Sequence, residues 1–226
     1  MPTQVRNTCT KKEYLERLAK DRFKIIANEN EFDGGLGLLG YTDGGLDEAT
    51  GKAGWGFGVF DRNGVVIHEQ YGPVVTDTSS AHWLGATEHT NNTGELSAAG
   101  EMCIWWDKWG SQIEGGALEW RYDSTLTADA VLGRGVSHAN QTLVNTIKCC
   151  FRACVRGGLI AKHVFSHTGV FVGNNLADKL AEYGQKGSLT KGGRYAEGCT
   201  TGLDIVPWAR AYERNEGTGV WDGVPH

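Results

Sequence analysis

The hydrophobic period changes along this chain, and that change restricts its fold more than any other feature. Between Leu36 and Val75 the apolar segments are short and follow one another through turn residues. LGLLGYT reads as a buried strand ending at Asp43, with Gly44-Gly45 as its turn. GWGFGVF (54–60) and VVIHEQYGPVV (65–75) read as two more strands, joined by the hairpin turn Asp61-Arg62-Asn63-Gly64. Beyond this meander the period lengthens. Leu96, Ala99, Cys103 and Trp106 recur at helical spacing, which predicts a helix over 92–109. ALEWRYD (117–123) returns to alternation with Leu118, Trp120 and Tyr122, and a short helix is expected after Ser124. A second long helix is expected over 140–156, a fifth strand over 159–165 and a last helix over 174–183. The order βββαβαβα predicts an α/β fold: a mixed sheet with helices packed on its faces.

This pattern occupies residues 34–184, which read as one domain. Residues 1–33 read as a helical appendage, with a capping box at Thr10-Lys11-Lys12-Glu13. Residues 185–226 read as a Gly-rich extension holding one short helix around Pro207–Arg214. No apolar run approaches the roughly 18 residues of a membrane span. The start carries no apolar segment of the signal-peptide kind, so the expected location is intracellular. Cys9, Cys103, Cys149, Cys150, Cys154 and Cys199 show no zinc-type spacing, and they read as reduced, buried thiols.

A net charge of −5 argues against a polyanionic partner until its distribution is considered. The span Ala130–Ala177 holds Arg134, Lys148, Arg152, Arg156 and Lys162. That is five of the 22 basic residues and none of the 27 acidic ones, so the remainder carries −10. A basic span in an acidic chain is the footprint of nucleic-acid contact. In the 140–156 helix, Lys148, Arg152 and Arg156 step by four. They oppose the apolar side of Leu143, Ile147, Cys150 and Cys154.

Four acids stand beside apolar runs, at expected element ends. Asp43 closes the first strand in YTDGG, Glu95 opens the first long helix in TNNTGEL, Asp123 follows the fourth strand in RYDS, and Asp178 lies early in the last helix in NNLADKLA. Each alone has a plain structural reading: a turn residue for Asp43, a helix N-terminal charge for Glu95, an N-cap for Asp123, a solvated helix residue for Asp178. Together they form a set of hard oxygen donors, which suits Mg²⁺ better than Zn²⁺.

Asp, Glu, Asp and Asp in this order on these elements resemble the ribonuclease H family, type 1. The local text is similar too: YTDGG, TNNTGELSAA, YDS, and HTGVFVGNNLADKLA with its His-Gly loop, its Asn and its Asp-x-Leu-Ala. The resemblance spans about Leu36 to Tyr183. It implies the family's five-stranded mixed sheet, with the first three strands antiparallel, the later ones parallel, and helices on both faces. It also implies endonucleolytic hydrolysis of the RNA strand of RNA–DNA hybrids by a two-metal-ion mechanism, leaving 5′-phosphate and 3′-hydroxyl ends. Two Mg²⁺ ions, or Mn²⁺ in their place, would be held by Asp43, Glu95, Asp123 and Asp178. His167 matches the family's mobile histidine, with a role in proton transfer or product release.

The same resemblance implies that Asn91, Asn92 and the backbone of Gly44 and Gly45 read sugar edges in the minor groove. Thr90 would contact a phosphate of the DNA strand. Thr125 stands where a sugar-contacting Gln is frequent, and Asn175 where many members carry an acid. Lys148, Arg152 and Arg156 are further candidate substrate contacts. Three alternatives stay open: a proofreading exonuclease, disfavoured because Gly45 occupies the place of its second acid; a non-catalytic hybrid-binding module; and the ribonuclease H domain of a reverse transcriptase polyprotein. The expected partner is the hybrid, not a membrane, and the expected state is a monomer.

Overall fold

The computed structural model describes residues 31–32, 37–113, 117–132, 139–156, 158–164, 171–190 and 195. It contains strands β1 (Leu38–Asp47), β2 (Lys52–Asp61), β3 (Val66–Pro73), β4 (Leu118–Tyr122) and β5 (Leu159–His163). Its helices are α1 (Asn91–Lys108), α2 (Thr125–Val131), α3 (Gln141–Arg156) and α4 (Val172–Gln185). The sheet order is β3-β2-β1-β4-β5. β1 pairs antiparallel with β2, and β2 with β3, whereas β1–β4 and β4–β5 are parallel. The mixed sheet expected from the element order is therefore the one observed. The β2–β3 turn forms as its sequence predicts: the Asp61 carboxylate accepts the backbone N–H of Asn63 at 2.9 Å and of Val65 at 2.8 Å.

One expectation fails. β1 does not stop at Asp43, and Gly44-Gly45 is not a turn. The strand runs on to Asp47, with Gly44 opposite Trp55 and Gly45 opposite Gly54. The glycines serve close approach instead. A Cβ on Gly44 would lie 2.0 Å from the Glu95 nitrogen, and one on Gly45 would lie 2.1 Å from the Gln185 side chain. A side chain at Gly44 would push α1 off the strand, whereas one at Gly45 would only turn the Gln185 side chain aside.

The two faces of the sheet carry separate apolar clusters. On one, Leu38, Leu118, Trp120 and Tyr122 pack with α1 and α3. On the other, Leu39, Tyr41 and Phe60 pack with Ala177 of α4 and with Val164. The predicted core positions of α1 and α3 are all buried. The buried surface of α1 is wider than its predicted stripe, running without a break from Thr93 to Trp106. It lies between the sheet and α3, and Tyr195 adds a cover, donating from its hydroxyl to the buried Glu101 at 2.5 Å. Cys103, Cys149, Cys150 and Cys154 are buried, as expected, and form no disulfide among the described residues; Cys9, Cys199 and the short helix expected around Pro207–Arg214 lie outside the described residues.

α4 sits on glycine. A Cβ on Gly56 would come within 2.5 Å of both the Ala181 nitrogen and the Leu180 Cβ, and one on Gly54 would meet the Gln185 backbone nitrogen at 2.1 Å. Gly56→Ala should therefore lift α4 and destabilise the fold by about 1–3 kcal/mol, the usual cost of overpacking. Thermal and urea unfolding measure this, and an unchanged midpoint would contradict the packing described.

Candidate active site

Tyr122 and Thr42 form the last pair of the parallel β1–β4 ladder. The next residue on each strand is an aspartate, Asp43 on β1 and Asp123 after β4. The end of the ladder is fixed by a buried hydrogen bond from the Trp120 indole N–H to the Thr42 hydroxyl, 2.8 Å. Past this point β1 is no longer paired with β4, and this is the carboxyl end of parallel strands, where α/β sheets place their ligands. α1 delivers a third acid. Its Glu95 follows Gly94, and the backbone of this pair lies against Gly44.

Asp43, Glu95 and Asp123 converge: one carboxylate oxygen from each lies within 4.8 Å of the other two. Asp43 and Glu95 are only 5 % and 6 % exposed. The Asp43 carboxyl is pushed up to about 8, by burial first and then by the charges of Asp123 and Asp178. Glu95 is pushed well above the usual carboxyl range, again by burial first and then by Asp43 and Asp123. The two side chains also hydrogen-bond each other, an arrangement of two carboxyl groups that needs a shared proton or a cation. Asp178 is not part of the three-carboxylate group. It is exposed on the second turn of α4, near enough for its charge to act on Asp43.

Several plain readings of these residues are taken up by neighbours. The N-cap of α2 is Ser124, which accepts the Thr127 N–H, so Asp123 is not needed there. The N-cap of α1 is Thr90, whose hydroxyl accepts the Thr93 N–H at 3.1 Å while the Thr93 hydroxyl accepts the Thr90 N–H at 2.9 Å. Asn91 and Asn92 are thus not capping residues. They stand exposed on the first turn of α1, as does Thr125 on α2. Lys148 is half-buried and Arg152 exposed on α3; the Arg156 side chain and all of His167 lie outside the described residues.

Sequence reasoning missed two contributors. Asn174, buried on the first turn of α4, donates from Nδ2 to the Asp123 carboxylate at 3.3 Å. Its signal was present in NNLADKLA, but polarity alone does not distinguish it from the exposed Asn175. The other is Glu31, inside the segment read as an appendage. Its carboxylate accepts the N–H groups of Val172 and Gly173 at the start of α4.

The ribonuclease H family model matches residues 37–186. The chain belongs to the RNase H family. Its fold is similar to that of RNase H1 from the halophilic archaeon Halobacterium salinarum NRC-1, at 20 % identity and TM-score 0.50, over 67 % of this chain and 98 % of that one. It is similar to that of LC11-RNase H1, isolated from compost by a metagenomic approach, at 23 % identity and TM-score 0.51, over 66 % of this chain and 95 % of that one. The N-terminal RNase H domain of a Mycobacterium tuberculosis protein matches at 19 % identity and TM-score 0.50, over 67 % and 95 %. No curated sequence matches the chain. Among the described residues, no helix is long and apolar enough to cross a membrane.

Buried carboxyls with raised pKa make folding take up protons. From about pH 4, where Asp43 ionises in the unfolded chain, to its folded value of about 8, the unfolded state binds fewer protons, so stability falls as pH rises. At pH 8 with a chelator, Asp43→Asn should therefore melt above the parent, by about 2–4 °C for each kcal/mol of repulsion relieved. The gap should narrow at pH 5. Adding Mn²⁺ should raise the parent's Tm and leave the variant's nearly unchanged, by mass action on a folded-state site. Scanning calorimetry checks this, and equal Mn²⁺ shifts in both proteins would show that the cluster is not the metal site.

Proposed function

We propose that this RNase H family member is an endonuclease hydrolysing the RNA strand of RNA–DNA hybrids, leaving 5′-phosphate and 3′-hydroxyl ends. The observation that carries this is the convergence of Asp43, Glu95 and Asp123 at the end of the β1–β4 ladder, on a chain of this family. All three offer hard oxygen donors, so the set fits Mg²⁺ or Mn²⁺, and cations there would relieve the repulsion that raises Asp43 and Glu95. Asp43, Glu95, Asp123 and Asp178 would hold two such ions, which supply a deprotonated water and charge stabilisation at the leaving 3′ oxygen.

The chain's own groups do the rest. Asn91 and Asn92 are exposed at the head of the helix that carries Glu95, and the Gly94–Glu95 backbone of that helix lies against Gly44. Side-chain amides and backbone groups placed together suit the reading of 2′-hydroxyls in a shallow minor groove, the feature that separates an RNA strand from a DNA strand. Thr90 fixes the helix start and meets a phosphate of the DNA strand, and Thr125 borders the sugar on the Asp123 side. His167 carries a proton to or from the departing product. An imidazole suits proton transfer, while carboxylate oxygens suit a hard cation.

Incubation with labelled RNA–DNA hybrid, single-stranded RNA, duplex RNA and duplex DNA tests the reading. Only the RNA of the hybrid should be cut, and only with Mg²⁺ or Mn²⁺. Cutting that survives a chelator, or equal cutting of single-stranded RNA, would overturn it. Asp43→Asn should abolish turnover with the fold intact, and His167→Ala should slow it by about 10²-fold or less, at or below the lower end of general acid–base effects.

Lys148, Arg152 and Arg156 set affinity without reading sequence, since contacts to phosphate position a duplex and do not specify it. Replacing all three with Ala should weaken hybrid binding at every sequence and lower the slope of log affinity against log salt by up to about three units. Turnover of bound substrate should stay near the parent's. An unchanged salt slope would remove these residues from the substrate surface.

A further inference from the structure

α4 starts without a cap of its own. Its N-cap residue is Phe171, whose side chain makes no capping hydrogen bond, and its first turn holds no acid. The missing acceptor comes from 141 residues upstream. Glu31 Oε2 accepts the Val172 N–H at 2.7 Å and Glu31 Oε1 accepts the Gly173 N–H at 2.9 Å. A carboxylate at a helix N-terminus satisfies orphan donors and opposes the positive end of the helix dipole.

Glu31 is itself held on three sides. Its carboxylate hydrogen-bonds the Tyr41 hydroxyl, and its backbone carbonyl accepts from Arg121 Nη1 at 3.0 Å. The same Arg121 nitrogen donates to the Tyr41 hydroxyl, and Arg121 Nε donates to Glu119 at 2.8 Å. The next residue, Phe32, packs its ring on Phe60 with centroids 5.3 Å apart, and Phe60 meets Tyr41 edge-on at 5.8 Å. The first turn of α4 lies on the Tyr41 ring so closely that a Cβ on Gly173 would approach it to 2.2 Å. Glu31 and Phe32 therefore clip the start of α4 to β1 and β4, although both precede the residues that the family model matches, 37–186.

The clip has a chemical consequence because of what that turn carries. Asn174 directly follows the capped Gly173 and holds the Asp123 carboxylate, and Asp178 lies one turn further on, with its charge acting on Asp43. The later part of α4 is seated independently, by Gly54 and Gly56 against Leu180, Ala181 and Gln185. The first turn is the part of α4 that Glu31 holds.

We propose that Glu31 is a positioning residue for the metal-binding carboxylates: by capping α4 it sets Asn174, and through it Asp123, and fixes the reach of Asp178. The inference rests on the metal-dependent reading above. It goes beyond it by making a residue N-terminal to the matched domain part of what sets the site's affinity for cations.

Mn²⁺ binding to the full chain without substrate, followed by electron paramagnetic resonance, tests this on the parent, Asp43→Asn, Glu31→Ala and Glu31→Gln. Tm and the Mg²⁺ dependence of hybrid cleavage are measured alongside. Glu31→Ala should weaken Mn²⁺ binding about tenfold, the lower end of what partners behind metal ligands contribute. The Mg²⁺ midpoint of cleavage should rise by a similar factor, with KM for the hybrid unchanged and kcat recovered at saturating Mg²⁺. Glu31→Gln keeps one acceptor oxygen and the side-chain shape. It should fall between parent and Glu31→Ala, and it carries the comparison alone if the alanine variant does not fold. A lowered Tm with parent-like Mn²⁺ binding and Mg²⁺ midpoint would make Glu31 a stabilising cap only and overturn the inference. A parent that binds Mn²⁺ no better than Asp43→Asn would overturn the functional reading and this inference together.

Discussion

The repulsion among carboxylates at the end of the β1–β4 ladder is the constraint around which the rest of this molecule is arranged. Burying Asp43 and Glu95 beside Asp123 raises both of the buried acids above their ordinary ionisation range. Such a cluster does not assemble by itself, because each acid gains by turning to water. It is held because its bearers are fixed by contacts that have nothing to do with charge. Asp43 is inside a ten-residue strand paired on both sides up to Thr42, and Glu95 is on a helix buried from Thr93 to Trp106. Asp123 is the exception, a residue just past a strand end. It is also the acid that receives a hydrogen bond from a neighbouring helix, through Asn174. The added support stands where the backbone supplies least.

Close approach is the means by which the helices reach the acids, and glycine is what allows it. Gly44 and Gly94 let the head of α1 touch β1, which brings Glu95 to Asp43. Gly54 and Gly56 let α4 lie on β2, and Gly173 lets its first turn lie on Tyr41. A sheet with ordinary side chains keeps a helix at the distance those side chains impose, too far for short carboxylates on three elements to meet. The glycines weaken the strands that contain them, a cost in backbone entropy offset by the packing of Leu180, Ala181 and Tyr41 against them.

Much of this was legible in the sequence, and the failures have physical causes. The strands and helices follow from hydrophobic period, which is a local property, whereas the spatial order β3-β2-β1-β4-β5 does not, and the first three carboxylates are recognisable as charges beside apolar runs. Gly44-Gly45 was misread as a turn because a glycine pair has two uses, positive φ and lack of bulk, and local sequence does not separate them. Neither residue has positive φ in the structure; the second use applies. Asn174 was passed over because its burial depends on α4 meeting β1 and β4. Glu31 was beyond any local reading: its acceptors serve N–H groups 141 and 142 residues away, and nothing in the amphipathic pattern of residues 1–33 marks it.

The distribution of charge closes the argument about how a strongly acidic site admits a polyanion. Acids converge at the end of the β1–β4 ladder, while the span without acids supplies α3, whose apolar side packs on α1. Lys148 and Arg152 are therefore placed one helix away from Asn91, Asn92 and Glu95, on the same supporting layer. At physiological salt, exposed charges more than about 8 Å apart are largely screened, so basic side chains on α3 act mainly at short range. Under the proposed function they would act by direct contact with the duplex backbone, which fixes its position without reading sequence. Affinity and chemistry would then fall to different elements: α3 to the phosphates, the asparagines of α1 to the sugars, and the carboxylates at the end of the β1–β4 ladder to the bond that breaks. A duplex spanning both would bring its phosphate to the acids by making favourable contacts on α3 and α1 at the same time.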